Sequence, residues 1–199
     1  CNTSGTTIIA YNTGTILPSA DHPGVLNIQT GTGNGQGVTL TQMSSVTATG
    51  SMIIAQNNRV ISTVGVGATI ANTRLRAGLH AEAATNIRPV TGVWWEADST
   101  TNAFWNYCYG TGAVAVCAPS TLAVAANTFV TTDINVTATG VTVSSATFTI
   151  NGTSYTVSGV TIDNSNKVSP AIACFNSVAA ARNCYVDYFQ VSGVASARR

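Results

Sequence analysis

Charge is what this chain has least of. Only 8% of its 199 residues are Asp, Glu, Lys or Arg, and the formal net charge is +1, whereas ordinary globular domains carry about 25% charged residues. Lys167 is the only lysine and the arginines are scattered. No basic stripe exists to grip phosphates, which excludes nucleic acid as a partner. Long apolar runs are missing too. Stretches such as Ser51–Ala55 and Val178–Ala181 fall far short of the roughly 20 residues that span a bilayer. No window sustains a 3.6-residue apolar period, and the best helical candidate, Val178–Arg182, is a single turn. No CxxC pair occurs, and no two cysteines stand at zinc spacing. His22 and His80 lack the second histidine or glutamate that a metal motif would place beside them. Neither a metal centre nor a cofactor is expected.

What is present is β-structure. The composition is dominated by Thr, Ser, Val, Ala and Gly, and short runs rich in β-branched residues recur between Gly, Asn, Pro or Ser-Thr turns. Among the runs that read as strands are Thr6–Tyr11, Gly24–Gln29, Ser51–Gln56, Val60–Val66, Gly92–Glu96 and Tyr185–Val191. Several alternate cleanly. In Thr73–His80, Leu75, Ala77 and Leu79 point one way while Arg74, Arg76, Gly78 and His80 point the other. In Thr142–Ile150, Ala146, Phe148 and Ile150 share a face. Asn151-Gly152, between two alternating runs, predicts a two-residue hairpin, because a type I′ turn needs positive φ at both central residues. So many short strands suit an all-β fold in which two antiparallel sheets enclose one core. Residues 1–20 read as an N-terminal arm or edge strand, and residues 21–199 as the sandwich. Gly31–Gly37 reads as a flexible loop, since no P-loop lysine or following helix accompanies its glycines.

Five cysteines point to an oxidising setting. Cys108 and Cys117 flank one apparent hairpin, and Cys174 and Cys184 flank another. A disulfide within each is one reading, and buried free thiols are the other. Cys1 has no partner in this scheme. A mature lipidated N-terminus and a fragment start both remain open for it.

The ordered motifs HPGVLNIQTG (His22–Gly31), RAGL (Arg76–Leu79), GVWWEAD (Gly92–Asp98), FTINGT (Phe148–Thr153) and VDYFQVSG (Val186–Gly193) resemble a known family. They are similar to the concanavalin-like, laminin-G-like jelly-roll module of bacteriophage tail fibres and other virion surface proteins. The resemblance covers about residues 20–193. It implies a two-sheet jelly roll, assembly as a homo-oligomer with a trimer favoured, exposure on a virion beside other virion proteins, and in many members contact with host surface glycans. It carries over no ligand contacts.

The candidate site residues cluster in Gly92–Tyr109, which holds all three tryptophans. Alternation puts Trp94 and Trp95 on opposite faces, so one should be core and the other outward. An outward Trp94, with Trp105 or Tyr107 beside it, would stack on a pyranose, and Asn102 and Asn106 would supply hydrogen bonds. The competing readings are packing against a neighbouring subunit or within the domain. Glu96 and Asp98, two residues apart on one face, have the residue types of a glycosidase acid/base pair. The jelly-roll glucanases that the fold also resembles carry a third acid where this chain has Thr101, which argues against hydrolysis and for Asp98 capping its turn. Asp163 with Asn164 or Asn166 offers oxygen ligands of the kind calcium takes, but too little charge for a calcium site to be expected. Asp187 reads as a structural acceptor, because burying it unpaired is costly. Sequons at Asn2, Asn135 and Asn151 are expected by chance in such a composition.

These readings converge on a non-enzymatic virion surface protein, a tail fibre, spike or capsid decoration with a possible glycan-binding role. The alternative is a secreted or lipid-anchored bacterial adhesin or filament subunit. A glycan-cleaving enzyme using Glu96 and Asp98 comes third.

Overall fold

The computed structural model describes residues 7–11, 15–18, 24–41, 57–81, 87–139, 142–162 and 168–193. Their strands are β1 (Thr7–Tyr11), β2 (Thr15–Pro18), β3 (Leu26–Gln29), β4 (Gly37–Thr41), β5 (Arg59–Val66), β6 (Thr73–His80) and β7 (Gly92–Asp98). Then follow β8 (Phe104–Gly110), β9 (Ala115–Ala123), β10 (Thr128–Thr139), β11 (Thr142–Ile150), β12 (Thr153–Ile162), β13 (Ser169–Asn176) and β14 (Asn183–Ser192). They form two seven-stranded sheets, β1-β4-β13-β6-β7-β8-β9 and β12-β11-β10-β5-β14-β3-β2. Every strand pair is antiparallel. This is the expected all-β jelly-roll sandwich.

The core lies between the sheets, and period-two alternation selects what enters it. Leu75, Ala77 and Leu79 of β6, Val93, Trp95 and Ala97 of β7, and Ile172 and Cys174 of β13 meet Val60 and Val64 of β5 and Ala146, Phe148 and Ile150 of β11. Trp95 lies edge-on to Phe148 with ring centroids 5.8 Å apart, and Tyr107 stacks on Tyr155 at 5.1 Å. Aromatic pairs of this kind add about 0.5–1.5 kcal/mol each beyond the area they bury. The β11–β12 hairpin turns at Asn151 and Gly152, whose φ values of 44° and 86° are both positive, as the type I′ reading requires.

Both cysteine pairs are disulfides, but they differ in kind. Cys108 and Cys117 face each other across β8 and β9, with Cα atoms 4.2 Å apart. Cys174 and Cys184 do not belong to a hairpin. β13 and β14 lie in opposite sheets, so this bond crosses the core and ties the two layers together, with a Cα–Cα distance of 6.1 Å. The segment between them leaves one sheet and enters the other, a change of layer that spacing cannot reveal. The disulfides accord with an oxidising, extracellular setting. No helix among the described residues is long and apolar enough to cross a membrane.

Other expectations change as well. Thr15–Pro18, not counted as a strand, pairs with β3 at the edge of the second sheet, while β1 edges the first. Asp187 is exposed, the extra residue of a β-bulge between Val186 and Tyr188, and so needs no buried partner. The strand expected at Ser51–Gln56, the calcium candidates Asp163, Asn164 and Asn166, and His22, Cys1 and Asn2 lie outside the described residues.

Candidate functional site

The face of the first sheet that turns away from the core is unusual. An outer sheet face normally carries exposed polar residues, whereas here the side chains are polar, charged and buried. Strand register assembles them in rows. Arg76 of β6 pairs with Glu96 of β7, which pairs with Asn106 of β8, and Ala173 of β13 lies on the other side of Arg76. One row over, Arg74 pairs with Asp98, and in the opposite direction Gly78 pairs with Trp94. His80 lies opposite Ser169 at the far end. Trp94, Arg76, His80, Glu96, Asp98, Asn106 and Ser169 are all at most 1% exposed.

The charges in this face are matched by geometry. Arg76 Nε donates to Glu96 Oε2 at 2.9 Å, with both side chains fully buried. Arg74 Nη2 lies 2.6 Å from Asp98 Oδ2. A third guanidinium comes from the loop before β7: Arg88 Nε donates to Glu96 Oε1 at 2.7 Å, and its Nη2 donates to Thr101 Oγ1 at 2.9 Å. Asp98 also closes the β7–β8 turn, accepting from the Thr100 backbone N–H at 3.0 Å and from the Thr100 hydroxyl at 2.6 Å. Burial alone would raise the Asp98 pKa. The Thr100 hydrogen bonds and the Arg74 guanidinium outweigh it, and the carboxyl is held below its ordinary range.

That direction bears on chemistry. A general acid must hold its proton near the working pH, and Asp98 is arranged to lose it. Glu96 is clamped between two guanidinium groups. This pair therefore acts as an ionic staple, and hydrolysis through Glu96 and Asp98 is not supported. Thr101, where the glucanase pattern has its third acid, donates to Asp98 Oδ2 at 3.0 Å. Glu96, Cys108 and Cys117 lie close enough to share an ion, but both sulfurs are spent in the disulfide and offer no thiolate.

The residues expected to hold a sugar are not brought together. Trp105 and Tyr107 face the core, Tyr107 against Phe148 and Tyr155. Trp94 does face outward, but it is fully buried and packs edge-on to His80, with centroids 6.0 Å apart. Asn102 Nδ2 donates to Asn106 Oδ1 at 2.7 Å, so the two amides serve each other. Alternation separates 94 from 105 and 107 once β7 and β8 pair, because Trp94 faces Cys108 and Trp95 faces Tyr107. What pattern reading missed is the arginine set. The shared face of Arg74, Arg76 and His80 was visible in the alternation of β6. That it abuts Glu96 and Asp98 needed the β6–β7 register. Arg88 left no signal.

Three polar atoms of this face are buried with no hydrogen-bond partner among the described residues: the Trp94 indole N–H and the hydroxyls of Thr39 and Ser169. Each is costly to leave so.

No family model and no curated protein matches the sequence. Solved structures do. A family 7 alginate lyase, A1-II′, captured with product, superposes with a TM-score of 0.63 at 13% identity, covering 92% of this chain and 85% of its own. An endo-β-1,4-glucuronan lyase from the fungus Trichoderma reesei gives 0.63 at 8% identity, covering 94% and 90%. The carbohydrate recognition domain of Emp47p gives 0.61 at 7% identity, covering 96% and 89%. The fold is a concanavalin-like jelly roll.

These neighbours correct the functional expectation. A non-enzymatic virion surface protein was inferred from architecture, yet the same architecture over nearly the whole chain is that of polysaccharide lyases. Lack of activity does not follow from the sandwich. The resemblance to jelly rolls holds for the fold, nothing among the neighbours supports a tail fibre or virion, and the adhesin or filament alternative fares no better.

Proposed function

We propose that this chain acts on an acidic polysaccharide, engaged at the outer face of the first sheet and cleaved by elimination. One observation carries the reading. Arg74, Arg76, His80 and Trp94 gather on the outer face of the first sheet, Arg88 reaches it from the preceding loop, and hydroxyl and indole groups without a hydrogen-bond partner among the described residues lie among them. Acidic sugars are held by such groups, cations for the carboxylate and polar atoms for the hydroxyls. In elimination from a uronate a base takes the proton next to the carboxylate, and a carbon–carbon double bond forms as the adjacent glycosidic carbon–oxygen bond breaks. The leaving oxygen takes up a proton from a donor or water, and a cation beside the carboxylate steadies the developing charge. The partly exposed Arg88 and Arg74 are of the right kind for the cation, and the His80 imidazole, fully buried in the same face, is of the right kind for the base. Alginate and glucuronan, the polymers named for two of the structural neighbours, are both chains of uronic acids.

The test is incubation of the purified chain with polyuronates, following the ultraviolet absorbance of the unsaturated uronate that elimination creates, with binding measured in parallel by calorimetry. Absorbance growth that disappears in His80→Ala while binding persists supports the reading. Binding without cleavage would reduce it to glycan recognition, the role named for the Emp47p domain. The absence of both binding and cleavage refutes it.

A further inference from the structure

The charge cluster on the outer face contains three guanidinium groups and two carboxylates. Each carboxylate already has an arginine opposite it in the strand register, Glu96 with Arg76 and Asp98 with Arg74. Among the described residues Arg88 is the surplus cation. It differs from the others in three ways. It rises from the Ile87–Thr91 segment instead of a strand, so its backbone is not locked into a ladder. Its side chain is 29% exposed, against 17% for Arg74 and none for Arg76. Only its Nε is held closely by a carboxylate, Glu96 at 2.7 Å; its Nη2 reaches Asp98 at a long 3.5 Å and otherwise meets the neutral Thr101 hydroxyl. The segment is seated beside the site: Gly112 N donates to Val90 O at 2.8 Å, and a Cβ at Gly110 would stand 2.1 Å from the same carbonyl oxygen. Glycine at 110 is what lets Val90 come so close.

A cluster whose described residues carry one more positive than negative charge, at the edge of a buried face, favours an anion. A guanidinium meets carboxylate or sulfate oxygens through paired N–H donors. We infer that Arg88 is the group that reads the charge of the polymer, exchanging part of its hold on Glu96, Asp98 and Thr101 for an anionic substituent, a carboxylate or a sulfate ester, on the bound sugar. This rests on the proposed action at a polysaccharide and assigns its specificity to one residue.

Calorimetric binding of polyuronate, of the same polymer with its carboxyl groups reduced to alcohols, and of a sulfated polysaccharide, to wild type and to Arg88→Met, tests the assignment. The expected result is that wild type binds the polyuronate in a salt-sensitive way, that reduction of the carboxyls weakens binding, and that Arg88→Met weakens polyuronate binding by about tenfold or more. The same loss with the sulfated polymer assigns Arg88 to anions generally, and its absence assigns it to carboxylates. Arg88→Lys keeps the charge without the planar fork and is expected to fall between the two. It stands in for the methionine variant if that one does not fold. Equal binding of the charged and reduced polymers, or a variant that binds the polyuronate as wild type does, overturns the role of Arg88 and leaves polysaccharide binding intact. Binding of none of the polymers by wild type overturns both.

Discussion

Glu96→Gln is the sharpest probe of the buried ionic face. Glu96 and Arg76 are both fully buried and 2.9 Å apart, and Arg88 closes the other carboxylate oxygen at 2.7 Å. Glutamine keeps an acceptor of the same shape but removes the negative charge, leaving the fully buried Arg76 guanidinium without the carboxylate it bonds. Breaking a buried pair by neutralising one partner costs about 3–5 kcal/mol, most of it the penalty of an uncompensated buried charge. The retained amide oxygen places this substitution near the lower end, about 3 kcal/mol. For a domain of this size each kcal/mol moves Tm by roughly 2–4 °C, so a fall of roughly 6–12 °C is expected. Calorimetric melting of the oxidised protein measures it. The double variant Arg76→Met with Glu96→Leu removes both charges of the central pair and should cost less than the two single changes combined, since paired sites are not additive. A Glu96→Gln melt within about 2 °C of wild type, or strict additivity in the double variant, would refute the claim that this pair is electrostatically committed.

Two further outcomes follow from the same structure. The disulfides close loops of nearly equal length, with sequence separations of 9 and 10, and loop entropy alone assigns each about 3 kcal/mol. Because Cys174 and Cys184 are fully buried and join the sheets, Cys174→Ala with Cys184→Ala should lower Tm more than Cys108→Ala with Cys117→Ala; equal losses would mean that the core position adds nothing. Asp98 has a folded pKa below its unfolded value of 3.8, so its contribution is complete above that value and is lost as pH falls through the folded pKa. Urea titrations at acid pH should therefore show Asp98→Asn losing less stability than wild type as pH drops below 3.8. Parallel pH profiles for the two proteins would contradict the ion-pair assignment.

How much of this was legible beforehand divides by range along the chain. Period-two alternation in Thr73–His80 named the three core residues and the three polar outer ones, because the side of a strand on which a residue falls is a local property. The Asn151-Gly152 turn was legible for the same reason: two backbone conformations and two residue types suffice. The order of strands within the sheets is different. It depends on which distant strands lie side by side, and a short Thr- and Val-rich strand carries little information about its neighbour. So the tryptophans looked like one cluster until pairing of β7 with β8 set Trp94 apart from Trp105 and Tyr107. Glu96 and Asp98 looked like an acid/base pair until β6 brought Arg76 and Arg74 alongside and the preceding loop brought Arg88. Cys174 and Cys184 looked like hairpin partners until their strands parted into separate layers.

By itself, then, the sequence determined the β character of the chain, the face of each alternating strand and the sharpest turn, all of which are decided within a few residues. Only the tertiary structure decided which faces meet. It matched buried arginines to buried acids, joined the two sheets through Cys174 and Cys184, and, among the described residues, left the cluster one guanidinium more than its carboxylates. The physical reason is that an ion pair or a disulfide depends on distance in space, and the registers that set those distances join residues far apart along the chain.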